Sequence, residues 1–334
     1  MRIKSDELPI FEEGPFTALI KDFIHYKRSC GLSYSDSAVY VLRKICGLIN
    51  QYPAENKELS QEMVFKIVEK RPNERYSTQS RRITYIRQFA IYLHLKGYTA
   101  YIYPECSINK EEKTFVPYLF SDHEITKIMD IADSLPEIRV YPQYHMVYPV
   151  LLRLLYSCGL RLSEALHLRV KDYDPLNKSI LINKSKNLKS RLVPISESMA
   201  HVLAVYLKSR FGSCPEVERY IFEAPDGNAY NRGSVRITIY SIFKKAGLPY
   251  KIDEHHPNVH SFRHNFAVRA MEKMRSEGMD LYCTLPILAE YLGHKGIRET
   301  ERYLWLPAFR MSEIANANNY LVEGMIPEVP HDET

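Results

Sequence analysis

Apolar residues recur every three to four positions through the first hundred residues, and that period restricts this stretch to amphipathic helices. Phe16, Leu19, Ile20, Phe23 and Ile24 form one stripe, with Gly31 behind it as a stop signal. Asp36 is placed to cap a second helix carrying Val39, Leu42, Cys46 and Ile49 on one face. Ser60 precedes a third, with Met63, Val64, Ile67 and Val68, which Pro72 ends. A fourth is expected from about Thr78 to Leu95, with Ile83, Ile86, Ala90 and Leu93 inward and Gly97 at its C-terminal end. Four such helices can bury one small common core. From Lys66 to Ala100 there are eight bases (Lys66, Lys70, Arg71, Arg75, Arg81, Arg82, Arg87, Lys96) against two acids, Glu69 and Glu74. That excess suits either a phosphate-facing patch or a solvated helix face.

Residues 99–118 have no period and mix two prolines with a Lys-Glu-Glu-Lys run. A clear restart follows. Ser121 and Glu124 fit a capping box, with Phe120 and Ile125 spaced as a hydrophobic staple. A length of 334 residues agrees with two domains. We therefore expect a helical domain over 1–107, a linker over 108–118, a second domain over 119–325 and a tail over 326–334. The second domain starts helical and contains a nearly all-apolar segment, Val147 to Leu155, expected as a buried helix. Ser179–Ile182 and Arg191–Ile195 flank a basic segment and read as a β-hairpin, the only strand content expected. Helices are expected at 197–210, 232–246, 260–276, 285–292 and 310–321. The fold class is thus mainly α, with a small β-hairpin or sheet in the second domain.

Several chemistries lack their usual marks. There is no G-x-x-x-x-G-K-[ST], no G-x-G-x-x-G and no G-x-S-x-G. No apolar run approaches the ~18 residues of a membrane span, and the N-terminus carries acids rather than a signal sequence. Six dispersed cysteines without Cys-x-x-Cys read as reduced thiols, so the expected location is the cytoplasm. His256, His260 and His264 fall at i, i+4, i+8, a spacing that on one helix could hold a metal. However, Ser261 stands where an H-E-x-x-H site needs its Glu, and Arg263 adds a fixed positive charge.

The same segment contains His260-x-x-Arg263, and its companions give that pattern weight. Gly159-Leu160-Arg161-Leu162-Ser163-Glu164 places an Arg after the buried helix, with an acid three residues on to orient it. Leu292-Gly293-His294 comes later, and Tyr303 follows His294 by nine residues. Singly, Arg161 could be a salt-bridge partner, His294 a helix cap and Tyr303 a core residue. In this order and spacing, over about 116–322, they resemble the tyrosine recombinase (phage integrase) family. That family has G-L-R-x-[ST]-E, a Lys in the hairpin turn, H-x-x-R, L-G-H and a Tyr nine residues later. The Arg191-Leu192-Val193-Pro194 tail sets the hairpin register, which makes Lys186 the counterpart of the family's Lys. Lys184 and Lys189 lie on either side of it, and Ser185 and Asn187 stand where the family has glycines. Lys295 follows L-G-H where a Ser is common, and Phe262 stands where Leu is frequent.

The resemblance implies a site-specific DNA strand-exchange enzyme, an integrase or transposase of a mobile element. Its domains would form a C-shaped clamp on duplex DNA, and the short stretch before the first helix implies the form without an arm-binding domain. Arg161 and Arg263 would neutralise the scissile phosphate, with Glu164 supporting Arg161 and His294 donating a hydrogen bond. Tyr303 would be the nucleophile, His260 its proton acceptor and Lys186 the acid for the leaving oxygen. No cofactor or metal is expected. Partners would be double-stranded DNA with paired half-sites, further copies of the chain on DNA and accessory DNA-bending or partner proteins; no membrane is involved. Arg81, Arg82 and Arg87 are the expected DNA-backbone contacts. The rival activities are type IB topoisomerase-like resealing and a non-catalytic DNA-binding accessory role.

Overall fold

The computed structural model describes residues 8–32, 34–53, 57–104, 117–139, 141–183, 190–249 and 256–304. It divides into two units, residues 1–114 and 115–334. The first holds α1 (Thr17–Ser29), α2 (Asp36–Ile49), α3 (Gln61–Val68) and α4 (Tyr76–Leu95). Their apolar faces share one core built on Phe16, Phe23, Ile24, Leu42, Phe89 and Leu93. Phe23 meets Phe89 edge-on, with ring centroids 5.6 Å apart. Ser60 caps α3 as expected, its Oγ accepting from the Met63 amide at 3.3 Å. Asp36, by contrast, is the first helical residue and Ser35 is the cap position. An acid in the first turn still faces the positive end of the helix dipole, so the same sequence signal serves one residue further in. The aperiodic stretch also begins inside this unit. The Leu59 amide donates to the Thr99 carbonyl, the Tyr101 amide donates to the Leu59 carbonyl, and Ala100 between them is buried in the core.

The basic face of α4 requires a correction. Arg82 is buried: its Nη1 lies 2.7 Å from Glu74 Oε1, and its Nη2 donates to the Glu69 carbonyl at 2.7 Å. A guanidinium held this way serves the fold of the α3–α4 junction, not a phosphate. Arg87 is half-buried and donates to the Tyr103 carbonyl. Arg81 is exposed and reaches Ser37 Oγ at 3.2 Å. Of the three, only Arg81 is exposed. Arg82→Ala should destabilise this unit by about 3–5 kcal/mol, because it strands the Glu74 carboxylate. Arg81→Ala should leave stability unchanged and flatten the salt dependence of DNA binding by up to ~0.9 in log–log slope. Urea unfolding and salt titrations of the two variants check both values.

The second unit opens on α5 (Asp122–Asp133), where the Ser121–Glu124 capping box is complete in both directions. Phe120 and Ile125 are both buried in the same core. Phe120 also packs against Phe262 and Phe243, at 5.0 and 5.5 Å between ring centroids. α6 (Tyr144–Cys158) is the apolar helix, with Val147, Leu151, Leu152, Leu154 and Leu155 at the centre of the core. It ends at Gly159, whose φ of +59° is left-handed and where a Cβ would lie 2.6 Å from the Phe266 ring. That turn feeds Arg161 into the N-terminus of α7 (Leu162–Leu166).

A three-stranded antiparallel sheet follows: β1 (Tyr173–Asp174), β2 (Ser179–Ile182) and β3 (Arg191–Pro194), in the order β1-β2-β3. The hairpin pairs Ile180 with Val193 and Ile182 with Arg191. β1 was not expected, since two residues cannot display a period. The remaining helices are α8 (Glu197–Phe211), α9 (Arg232–Lys245), α10 (Ser261–Ser276), α11 (Leu281–Leu292) and α12 (Arg298–Glu301). α11 starts four residues earlier than expected because Asp280 caps it, accepting from the Tyr282 amide at 2.8 Å. The expected helix at 310–321 lies outside the described residues. Among the described residues no helix is long and apolar enough to cross a membrane.

Candidate active site

The carboxyl end of α11 organises the site. Its last carbonyls carry no partner within the helix and form the negative end of its dipole. Three guanidiniums converge on this end, those of Arg263, Arg161 and Arg191. Arg263 Nη2 donates to the Leu292 carbonyl at 2.6 Å, while Arg161 Nη2 donates to the Gly293 carbonyl at 2.8 Å. Arg263 is 1% exposed and donates its other Nη to the Gly159 carbonyl at 3.0 Å. Burial and the neighbouring Arg161 charge lower its pKa to about 10, which still leaves it cationic at neutral pH. Gly293 has φ +66°, and a Cβ there would lie 2.7 Å from Arg191 Nη1. The L-G-H signature thus has a physical content. Leu292 supplies a carbonyl, Gly293 a left-handed turn with no side chain, and His294 the group that leaves the turn.

Arg191 was missed as a site residue. It sits on β3, 7% exposed, and donates through Nε to the Tyr291 carbonyl at 2.7 Å. Its two Nη atoms reach Glu164 at 3.2 and 2.9 Å, while Arg161 Nη1 lies 2.7 Å from the same carboxylate. Burial would raise the Glu164 pKa, but Arg191 and Arg161 hold it down to about 2. Glu164 is therefore a permanent anion clamped between two arginines, and it fixes Arg161 relative to the hairpin. The signal available in the sequence was an inward-facing Arg where the β-hairpin alternation calls for an apolar residue.

His294 Nδ1 is 2.7 Å from the Thr300 hydroxyl, which leaves Nε2 for an incoming oxyanion. Its ring stacks against that of Tyr303 at 6.3 Å and 18°. Tyr303 follows the short α12 and is 2% exposed. Burial raises its pKa, opposed by the charges of Arg263, Arg302 and Arg161. His260 is not on α10 but caps it. Its amide donates to Asn258 Oδ1 at 2.8 Å, and the Asn258 amide donates to Ser261 Oγ at 3.1 Å. His256 lies before this turn, beyond Pro257, so the three histidines do not share one helix face and the metal spacing is not realised. His264, one turn into α10, is buried with Nδ1 2.8 Å from the Tyr303 hydroxyl.

Arg161, His260, Arg263, His294 and Tyr303 all line one cavity of about 770 Å³. Arg232, Arg236, Lys295 and Arg302 line it too, with Glu299 the one carboxylate in its wall among the described residues. Asn231 caps α9, and Arg232 and Arg236 stand one turn apart on that helix. Of these further bases, Lys295 stood out in the sequence beside L-G-H, whereas Arg232, Arg236 and Arg302 were missed because nothing in their local sequence marks them. Such a cavity suits a polyanion, and a phosphodiester in it would meet two fixed guanidiniums and a tyrosine hydroxyl. Lys186, Lys184 and Lys189 lie outside the described residues.

The pattern that defines the phage integrase family matches residues 119–307. A provisionally named integrase/recombinase of Sinorhizobium fredii, y4rB, is 33% identical over 229 residues, covering 67% of this chain and 72% of the relative. The tyrosine recombinase XerA of Pyrococcus horikoshii is 28% identical over 188 residues, 56% of each chain, so just over half of that relative is spanned. By fold, the chain is similar to the XerH site-specific recombinase bound to a palindromic difH substrate. The TM-score is 0.64 at 19% identity, covering 89% of this chain and 83% of that one.

Proposed function

The chain belongs to the phage integrase family, and we propose that it is a site-specific DNA recombinase working through a 3′-phosphotyrosyl intermediate. The observation that carries this reading is the single basic cavity into which Arg161, Arg263, His294 and Tyr303 all project. A phosphodiester resists attack because its non-bridging oxygens repel the nucleophile. Arg161 and Arg263 neutralise that charge and follow it into the pentacoordinate transition state, and His294 adds a hydrogen bond. The Tyr303 oxygen attacks phosphorus and the 5′-oxygen leaves, taking a proton from Lys186. The phosphotyrosyl ester retains the bond energy, so a second 5′-hydroxyl can displace the tyrosine without a nucleotide cofactor. Glu164 and Arg191 position Arg161.

The partner is double-stranded DNA with paired half-sites, on which copies of the chain assemble, and the role is that of a mobile-element integrase or transposase acting in the cytoplasm. The recombinase names of its relatives favour strand exchange over topoisomerase-like resealing or passive binding. The test is a plasmid carrying two target sites, incubated with the protein in excess EDTA. Recombinant circles are expected. Relaxation without exchange would indicate the topoisomerase-like activity, and binding without cleavage the accessory role.

A further inference from the structure

We propose that His264 is a further catalytic residue, the group that accepts the Tyr303 proton as the phenol attacks; this rests on the recombinase reading above. The family pattern gives that task to His260. Yet the hydrogen bond at the Tyr303 hydroxyl is made by His264 Nδ1, at 2.8 Å and with both groups buried. The two rings are 5.6 Å apart and tilted by 53°, so the nitrogen meets the hydroxyl rather than the ring face. His264 is fixed by its place on the second turn of a regular helix whose neighbours Phe262, Ala267 and Val268 are core residues. His260 is placed differently, although desolvation lowers its pKa too, to about 4. It sits at the cap of α10, is exposed, and meets the edge of His264 at 4.6 Å. That placement suits His260 to a phosphate oxygen in the cavity and His264 to the nucleophile.

Burial, with His260, Arg302, Arg263 and His294 around it, lowers the His264 pKa to about 3, so the ring is neutral at rest. A neutral imidazole with its proton on Nε2 presents Nδ1 as an acceptor. The scissile phosphate and the developing phenolate both bring negative charge to the ring, which favours its protonated form at the moment of attack. The step balances. The Oη–H proton passes to His264 Nδ1 while the P–Oη bond forms and the P–O5′ bond breaks, and O5′ takes its proton from Lys186. Rejoining returns the His264 proton to the tyrosine.

The test is single-turnover cleavage of a nicked half-site by the full chain carrying His264→Asn or His264→Phe. Asn keeps a polar atom for the tyrosine hydroxyl but takes no proton at neutral pH, and Phe keeps the volume. Both variants are expected to bind DNA as wild type does and to cleave roughly 100-fold more slowly. Placing a fluorinated, more acidic tyrosine at 303 should then speed the Asn variant markedly and the wild type little. An Asn variant cleaving at the wild-type rate, or one that fluorination does not help, overturns the proposal. Should both variants misfold, nitrogen NMR of histidine-labelled wild type decides. The resonance that moves in Tyr303→Phe must be an unprotonated Nδ1, and a protonated one overturns the proposal. Wild-type protein that forms no adduct with any nicked target removes the recombinase reading itself, and this proposal falls with it.

Discussion

Tyr303→Phe should form no covalent adduct with DNA while binding a half-site with affinity within about twofold of wild type. The substitution removes one oxygen from a side chain that is 2% exposed, so packing against α10 and α11 is retained. What is lost is the hydrogen bond to His264, a cost on the order of 1–3 kcal/mol for a buried polar pair. That is too small to unfold the unit but removes the attacking atom outright. Electrophoresis of protein–DNA mixtures in denaturant measures the adduct, and a filter or mobility assay measures affinity. An adduct persisting in the variant would move the nucleophile to another of the 25 tyrosines. Tyr291 is a poor substitute, because it stacks on Phe266 at 5.2 Å and its hydroxyl points to the Pro194 carbonyl.

Lys186→Ala should slow cleavage of ordinary DNA by about 10²–10⁴-fold, the range for loss of a general acid. The 5′-alkoxide leaves badly without a proton. A 5′-bridging phosphorothiolate leaves as a thiolate and needs none, so the same variant should cleave that substrate at close to the wild-type rate. The comparison isolates proton donation from charge neutralisation, since removing a phosphate contact would slow both substrates alike. Equal slowing would take the acid role from Lys186 and turn attention to Lys184 and Lys189.

Much of the fold in both units is legible from short local signals. Ser60, Ser121 and Glu124 mark helix starts because their side chains bond the nearby backbone, which requires no tertiary context. The spaced motifs around Arg161, Arg263, His294 and Tyr303 are legible for a different reason. Each needs its own turn or helix end, and that demand leaves glycines and fixed intervals in the chain. Arg82 was misread because its partner Glu74 meets it only once the chain has turned between α3 and α4. Before that turn forms, a buried ion pair and a phosphate contact look the same. Arg191 pairs with a residue 27 positions away, and its burial depends on a sheet register that local pattern alone does not supply. His264 was considered only as a metal ligand. Four-residue spacing from His260 is shared by both uses, and the hydroxyl that distinguishes them lies 39 residues downstream.

One tyrosine, Tyr303, should become esterified to the 3′-phosphate of a cleaved strand. Protein trapped on a nicked half-site, digested with protease and nuclease and sequenced by mass spectrometry, tests it most directly. A single modified peptide is expected, carrying a nucleotide 3′-phosphate on Tyr303. A nucleotide on any other residue, or a tyrosine linked through a 5′-phosphate, would contradict it.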